Sequence, residues 1–362
     1  MTLSPDDPAS AAPGGVLSTS CPTCGAQLRY RPGTTSLECD SCDTQVALAA
    51  PATTAVPHSA YDEWATTNVG RQVASLGPVT MKCEGCGAVT DAESIGTRCQ
   101  FCAANLVALT SPGGLVAPDA VVPFKVDAAT AREKFRIWAG HQFFGVKELK
   151  DVRAAESLVG TYLPFWTVSA DSSTEYSGQR GVDHVERRTD GTPETRTSWS
   201  RQAGTVQRRF DDIFIPGKEP DDFQRVAFST LSAAQLVAYR PEYLAGFSSA
   251  RYEIDPAQAV EHAKARMSTL VRSNVKRAIG GDQQRIDDLR TAYSSVVFRL
   301  VLVPMWMATF MFAGRRWPVY IDGRSGAVYG RYPVNRLKMA LFVTAMFAVV
   351  ILAVVLFIKV RG

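Results

Sequence analysis

Twenty consecutive residues, Met339 to Ile358 (MALFVTAMFAVVILAVVLFI), contain no charge and no proline, and their only polar side chain is Thr344. A helix rises about 1.5 Å per residue, so this run spans about 30 Å, the thickness of a bilayer's hydrocarbon core. A buried helix of a soluble domain ordinarily keeps a polar stripe, and this run has none. The run predicts one transmembrane helix over 339–358, with the preceding residues on one side of the membrane. Arg331, Arg336 and Lys338 precede the run, and Lys359 and Arg361 follow it. That distribution slightly favours an inside N-terminus. Residues Met1 to Ser20 show neither the basic start nor the apolar stretch of a signal peptide. The expectation is a single-pass protein of the cytoplasmic membrane, with its N-terminal bulk in the cytoplasm.

The formal net charge of +4 is unevenly placed. Residues 315–362 hold eight Lys/Arg against a single acid, Asp322, while the rest of the chain carries 31 basic and 34 acidic groups. The basic excess is therefore juxtamembrane and suits anionic lipid. It gives no support to a general nucleic-acid surface.

All eight cysteines fall into four CxxC pairs: Cys21/Cys24, Cys39/Cys42, Cys83/Cys86 and Cys99/Cys102. Two such knuckles bring four thiolates around one tetrahedral ion, and closely spaced pairs of knuckles are the pattern of a zinc ribbon. Gly25, Gly85 and Gly87 stand where a knuckle turn wants glycine. Disulfides conflict with a reducing cytoplasm, and a redox CxxC is expected once rather than four times. Iron–sulfur chemistry shares the ligand type, but the hairpin spacing favours zinc. The reading is two structural Zn2+ sites, each closed by four sulfurs and therefore without an open catalytic position. Each ribbon carries only two basic residues against three acids, so protein binding or plain structural service is favoured over DNA binding.

The domain plan follows: a Pro/Ala/Ser-rich tail over 1–20 expected to be disordered, ribbon one over 21–48, a linker over 49–80, ribbon two over 81–108, an α+β domain over 119–335, and the helix over 339–358. The α+β region contains a weak repeat. VVPFKVD, ending at Asp127, and SARYEID, ending at Asp255, each read as strand then helix, with the aspartate as N-cap and Pro256 at the first helical position. A P-[FM]-W core recurs at Pro164–Trp166 and Pro304–Trp306, each followed by hairpin signals such as Asp190-Gly191 and Asp322-Gly323. The fold class is α+β, internally duplicated, with antiparallel strands. Phe298 to Ala313 reads as a buried strand, because Arg299 and Pro304 interrupt it. Ile279 to Ile286 reads as the end of one helix and the start of the next, with Asp282 as N-cap. A further helix is expected near Ser232 to Ala238.

No catalytic constellation is legible. His58, His141, His184 and His262 are scattered, and the acid pairs Asp211/Asp212, Asp221/Asp222 and Asp287/Asp288 read as solvated loops and helix starts. The expectation is a protein that is not an enzyme.

The segments CPTCGAQLRYRPGT, VVPF, GTYLPFWT, RPEYLAGF, IGGDQQRI and VLVPMW resemble a bacterial family of TFIIB-type zinc-ribbon membrane proteins. Its members often carry a primosomal protein N′ (replication factor Y) or helicase label. No Walker loop or helicase acidic box accompanies that label here, so no ATPase is implied. The resemblance implies SPFH-domain and phage-shock-type membrane-stress proteins as partners. The leading expectation is a membrane-tethered adaptor that recruits cytosolic proteins. The alternative is nucleic-acid binding through the arginines and aromatics of Tyr176 to Phe210.

Overall fold

The computed structural model describes residues 20–48, 56–68, 79–82, 89–92, 96–98, 105–107, 116–146, 149, 158–188, 192–220 and 228–361. The protein is a mixed α+β fold built on antiparallel strands. Two long strands organise it: β10 (Val159–Arg187) and β14 (Gln283–Phe312), 29 and 30 residues. They pair antiparallel from Val159↔Met307 to Gly181↔Gln283. On the free edge of β10 lies β11 (Pro193–Pro216), its hairpin partner, with register from Phe165↔Pro216 to Arg187↔Pro193. On the free edge of β14 lies β15 (Arg315–Asp322), followed by the edge strand β16 (Val328–Gly330).

Two helices cover these hairpins. The first, α2 (Ala128–His141), follows the short strand β9 (Ala120–Val121) and packs on β15 and β16. The second, α3 (Pro256–Ile279), follows β13 (Ser248–Ser249) and packs on β10, β11 and β14. Both start where a carboxylate takes an orphan backbone N–H. Asp127 Oδ1 accepts from Thr130 N at 2.7 Å. Asp255 Oδ1 accepts from Gln258 N at 2.8 Å while Gln258 Oε1 accepts from Asp255 N, a reciprocal capping box. Along α3, Ala263, Met267, Val271, Val275 and Ile279 recur every fourth residue and are all buried. That spacing keeps one stripe on one face, against the alternate β10 residues Trp166, Val168 and Ala170.

The same contacts recur in the two halves. β9 runs parallel to β14 at Val301 and Leu302, and β13 runs parallel to β10 at Thr161 and Tyr162. Trp306 Nε1 donates to the Val126 carbonyl at 2.9 Å, and Trp166 Nε1 to the Ile254 carbonyl at 2.8 Å. The Gly323 carbonyl accepts from Lys125 N and Val126 N, as the Gly217 carbonyl accepts from Glu253 N and Ile254 N. Gly323 N donates to Pro304 O, as Gly217 N donates to Pro164 O. Leu163 and Val303, each one residue before the proline of its motif, face each other across the pair. Each tryptophan thus holds the backbone just ahead of the other half's helix, so the halves are interlocked.

Three local expectations are corrected. Residues after Gly280 do not start a helix: the left-handed Gly280 (φ 67) and Gly281 (φ 76) end α3, and Gln283 opens β14. Asp282 instead accepts from the Asp183 N–H at 2.9 Å, so its carboxylate satisfies the neighbouring strand and not a helix end. Asp287 and Asp288 accordingly lie in β14; Asp288 pairs with Arg290. Ser232 to Ala238 forms only a 3-10 turn at Ala233–Gln235 and the short strand β12 (Val237–Ala238), which pairs with β9.

α3 ends beside Gly178 and β14 starts opposite Gly181, so past the helix only β10 and β11 continue, as a bare two-stranded arm from Val182↔Ser198 to Arg187↔Pro193. At about 3.3 Å per residue, β10 alone is of the order of 95 Å long. Gly178 makes the β10–β14 pairing possible, because a Cβ there would sit 2.3 Å from the Arg285 carbonyl oxygen. The last helix, α4 (Arg336–Arg361), is apolar and exposed along its described residues.

Candidate metal centre

Ribbon one is a three-stranded antiparallel unit of β1 (Leu28–Tyr30), β2 (Ser36–Cys39) and β3 (Gln45–Ala47). Its two knuckles fold alike. Gly25 N donates to Cys21 O and Asp43 N to Cys39 O, at 2.9 and 3.0 Å. The residue after each second cysteine, Gly25 (φ 75) or Asp43 (φ 56), is left-handed. In each knuckle an amide is also aimed at the first sulfur: Thr23 N at Cys21 Sγ (3.4 Å) and Ser41 N at Cys39 Sγ (3.5 Å). The turn therefore brings two thiols together and surrounds them with donors that stabilise negative sulfur.

The four Sγ atoms of Cys21, Cys24, Cys39 and Cys42 lie within 4.8 Å of one another, and none is in a disulfide. Cys21 Sγ and Cys42 Sγ are 3.6 Å apart, Cys24 Sγ and Cys39 Sγ 3.5 Å. A tetrahedron with metal–sulfur bonds of about 2.3 Å has edges of about 3.8 Å, so the cluster fits one ion of zinc's size. Desolvation opposes ionisation of Cys21, but the amides of Cys24 and Thr23 and the neighbouring thiols outweigh it and bring the thiol down to about 6. The group can hold a metal ion and is compatible with zinc. The other four candidates, Cys83, Cys86, Cys99 and Cys102, lie outside the described residues. The strands flanking them pair as hairpins: β5 (Val79–Lys82) with β6 (Val89–Ala92), and β7 (Gly96–Arg98) with β8 (Asn105–Val107).

Ribbon one is not a detached bead. Tyr30 N donates to Ala245 O at 3.0 Å, and Gly33 N to Phe124 O at 2.8 Å. Tyr30 packs edge-on to Tyr243 with ring centroids 5.1 Å apart. Cys21, Leu28, Tyr30, Leu37 and Cys39 share one buried cluster with Phe124, Phe135, Leu302 and Trp306. Gly246 (φ 87) lets the Arg29 stem lie where a Cβ would be, about 3.0 Å away. The sequence motif RPEYLAGF therefore forms the seat of the ribbon, a role that spacing alone does not reveal. Its one local signal is a Tyr/Phe pair flanking a glycine in an otherwise irregular stretch.

Residues 59–67, between the ribbons, are docked as well. β4 (Ser59–Ala60) pairs with β14, and Trp64 of α1 (Tyr61–Thr67) stands edge-on to Phe298 at 5.7 Å. Beside them Arg299 bonds Thr167 Oγ1 and the Asp212 carboxylate. Burial pushes the nearby Asp119 carboxyl up to about 6, although the Leu300 N–H, Arg299 and His58 pull it the other way. A cavity of about 730 Å3 opens between α3 and β11, lined by Phe165, Phe214, Leu231, His262, Arg266 and Leu270 among others. Its Arg266 donates to Phe214 O.

Three arginines of the β10–β11 hairpin are met by acids: Arg188 by Glu194, Arg196 by Glu186, and Arg209 by Asp171 and Asp211. Arg285 lies over the Trp199 ring at 4.0 Å. Of the histidines, His184 meets Ser198 on the arm and His262 faces the cavity; they do not converge.

Fold and site together define a mixed α+β chain with a four-cysteine group that could hold a metal ion and, among the described residues, one apolar C-terminal helix long enough to cross a membrane. It is similar to a Bacillus subtilis protein described as "uncharacterized protein YdjG", 23% identical over 231 residues that cover 63% of this chain and 67% of that one. No family model matches the chain, and no solved structure matches it.

Proposed function

We propose that this chain is a non-enzymatic adaptor, held in the cytoplasmic membrane by α4, which gathers cytosolic proteins at the bilayer. The observation that carries the reading is the helix itself: in its 18-residue window Arg336–Ala353 mean hydropathy is 2.0 and no residue is buried against the rest of the protein. A helix this apolar with no protein cover is at home only in lipid. Tethering then raises the local concentration of whatever the folded region binds.

The four-cysteine group takes Zn2+ and works as a staple, since four thiolates leave the ion no open position. Cys83, Cys86, Cys99 and Cys102 supply a second such site. The two halves that share one hydrogen-bond scheme are a duplication. Because ribbon one is packed into the core, the surface offered to a protein partner is chiefly the arm, with its exposed edges and flat outer face. The SPFH-domain and phage-shock-type proteins implied by the family resemblance are the partners to test first. Nucleic acid is disfavoured, because the acids paired with Arg188, Arg196 and Arg209 cancel part of the charge that phosphates need.

The test is purification of the full-length protein from membranes in mild detergent, followed by mass spectrometry, with and without a deletion of the arm tip 180–201. Partner proteins lost with the tip support the adaptor. Recovery of the same proteins with and without the tip, or of none, counts against it. Salt-sensitive DNA binding would favour the alternative.

A further inference from the structure

The end of α2 and the base of α4 form one corner. Asn335 N donates to Phe144 O at 2.7 Å, and Gly145 bridges to Val334, so the turn after α2 is stitched to the segment entering α4. Phe342 of α4 stands edge-on to Phe143 and Phe144, with centroids 6.3 and 5.4 Å away. Despite these neighbours Phe143 is 69% exposed, and Ile137, in the last turn of α2, is 47% exposed. A cleft of about 690 Å3 separates the two elements, lined by Gly140, His141, Phe143, Lys338, Leu341 and Phe342.

The depth of this corner follows from the helix. Phe342 lies three residues past Met339, the first residue of the uncharged run, or about 4.5 Å further along the axis. The headgroup zone on each side of the hydrocarbon is about 5–8 Å thick. A ring that meets Phe342 therefore sits at the lipid interface whenever α4 spans the bilayer. The chemistry agrees: near the end of α2 and ahead of α4, Trp138 and Tyr332 stand edge-on to each other at 6.0 Å, residue types favoured at that level. Exposed Arg336 and Lys338 lie in the same first turns, where anionic headgroups attract them.

We propose that the turn Gln142–Gly145, led by Phe143, is embedded in the lipid interface beside α4, so that the bilayer surface is a docking partner of the folded domain. This rests on the reading of α4 as a span. Removing one phenylalanine ring from water favours its insertion, so the contact adds a second attachment to that of α4. Two attachments fix a tilt that one helix leaves free, and the arm, at the opposite end of the β10–β14 pair, keeps a set direction.

The experiment uses the full-length chain in vesicles of phosphatidylcholine and phosphatidylglycerol. A photoreactive p-benzoylphenylalanine replaces Phe143, Leu352 or Val185, one at a time, and lipid adducts are read by mass spectrometry. Leu352 reports the span, and Val185, 72% exposed on the arm, reports background. Adducts at Leu352 and Phe143 without adducts at Val185 are expected. Adducts at Leu352 but not at Phe143 overturn the docking and leave the span standing. The absence of adducts at Leu352 removes both. As a second measurement, Phe143→Asp raises amide exchange over 142–145 in vesicles at least tenfold and leaves metal content unchanged; unaltered exchange overturns the proposal.

Discussion

The lobe of β10, β11 and α3 and the lobe of β14, β15 and α2 share their junctions and differ in their lengths. At the junctions the tryptophan bonds, the glycine carbonyl bonds and the parallel two-residue pairings are the same. Beyond them, one lobe carries a 24-residue β11 and a 24-residue α3, the other an 8-residue β15 and a 14-residue α2. Growth outward is tolerated because each added antiparallel pair satisfies its own backbone groups without disturbing the crossing point. The two lobes are also covered differently. The short one is closed by ribbon one and borders the base of α4, while the long one is covered by its own helix and runs on as the bare arm. One lobe thus carries the four-cysteine group and borders the apolar helix, and the other carries the extended hairpin.

The largest effect that could break this comparison is loss of the metal. Cys39→Ser removes a fully buried ligand from a ribbon that shares the core of the short lobe. It should cost more than about 4 kcal/mol, the range reserved for lost metals and similar lesions. Hydrogen exchange should show the short lobe opening before α3 does. Uniform opening of both lobes would show that the ribbon supports the whole domain and not one end.

Next come the two tryptophans. Trp166→Ala and Trp306→Ala should each lower stability by about 3–5 kcal/mol, through lost burial and a lost hydrogen bond. Equal shifts in denaturant midpoint sharpen the equivalence of the halves, and a neutral result at either one breaks it. A smaller effect is expected where the end of α3 meets β10 and β14. Gly178→Val places side-chain atoms against the Arg285 carbonyl and the Ile279 side chain and should cost about 1–3 kcal/mol, with faster exchange around the end of α3 and an undisturbed metal content.

The smallest effect separates the halves at one position. Asp119 directly precedes β9, whereas Phe247 directly precedes β13. The folded protein keeps the Asp119 proton up to about 6, but an unfolded aspartate releases it near 3.8. The stability from this group is therefore complete below the unfolded value and declines as pH rises through the window up to about 6. Melting followed against pH should show that decline, and Asp119→Asn should flatten it. A slope unchanged in the variant would assign the pH dependence to another group.

Much of this protein is readable locally because its signals are local. A CxxC spacing encodes a knuckle whose turn, amides and sulfurs all lie within five residues, and Cys21, Cys24, Cys39 and Cys42 form one cluster. Asp127 and Asp255 cap helices because a carboxylate needs only the three residues that follow it. The uncharged run becomes one helix because twenty apolar side chains need no partner to specify it. Asp282 shows where this kind of reading stops. Gly-Gly-Asp is a legitimate helix stop and restart, yet the residue serves Asp183, 99 positions away.

The length of the strands, the interlocking of the halves and the burial of ribbon one belong to the tertiary structure alone. Each depends on a partner distant in sequence: Gly178 on Arg285, Trp306 on Val126, Tyr30 on Ala245 and Tyr243. Local chemistry says which groups must be satisfied, and packing in three dimensions says by whom. Backbone and aromatic groups do not carry the address of their partners, so only the folded chain decides which surfaces are buried together and which stay exposed.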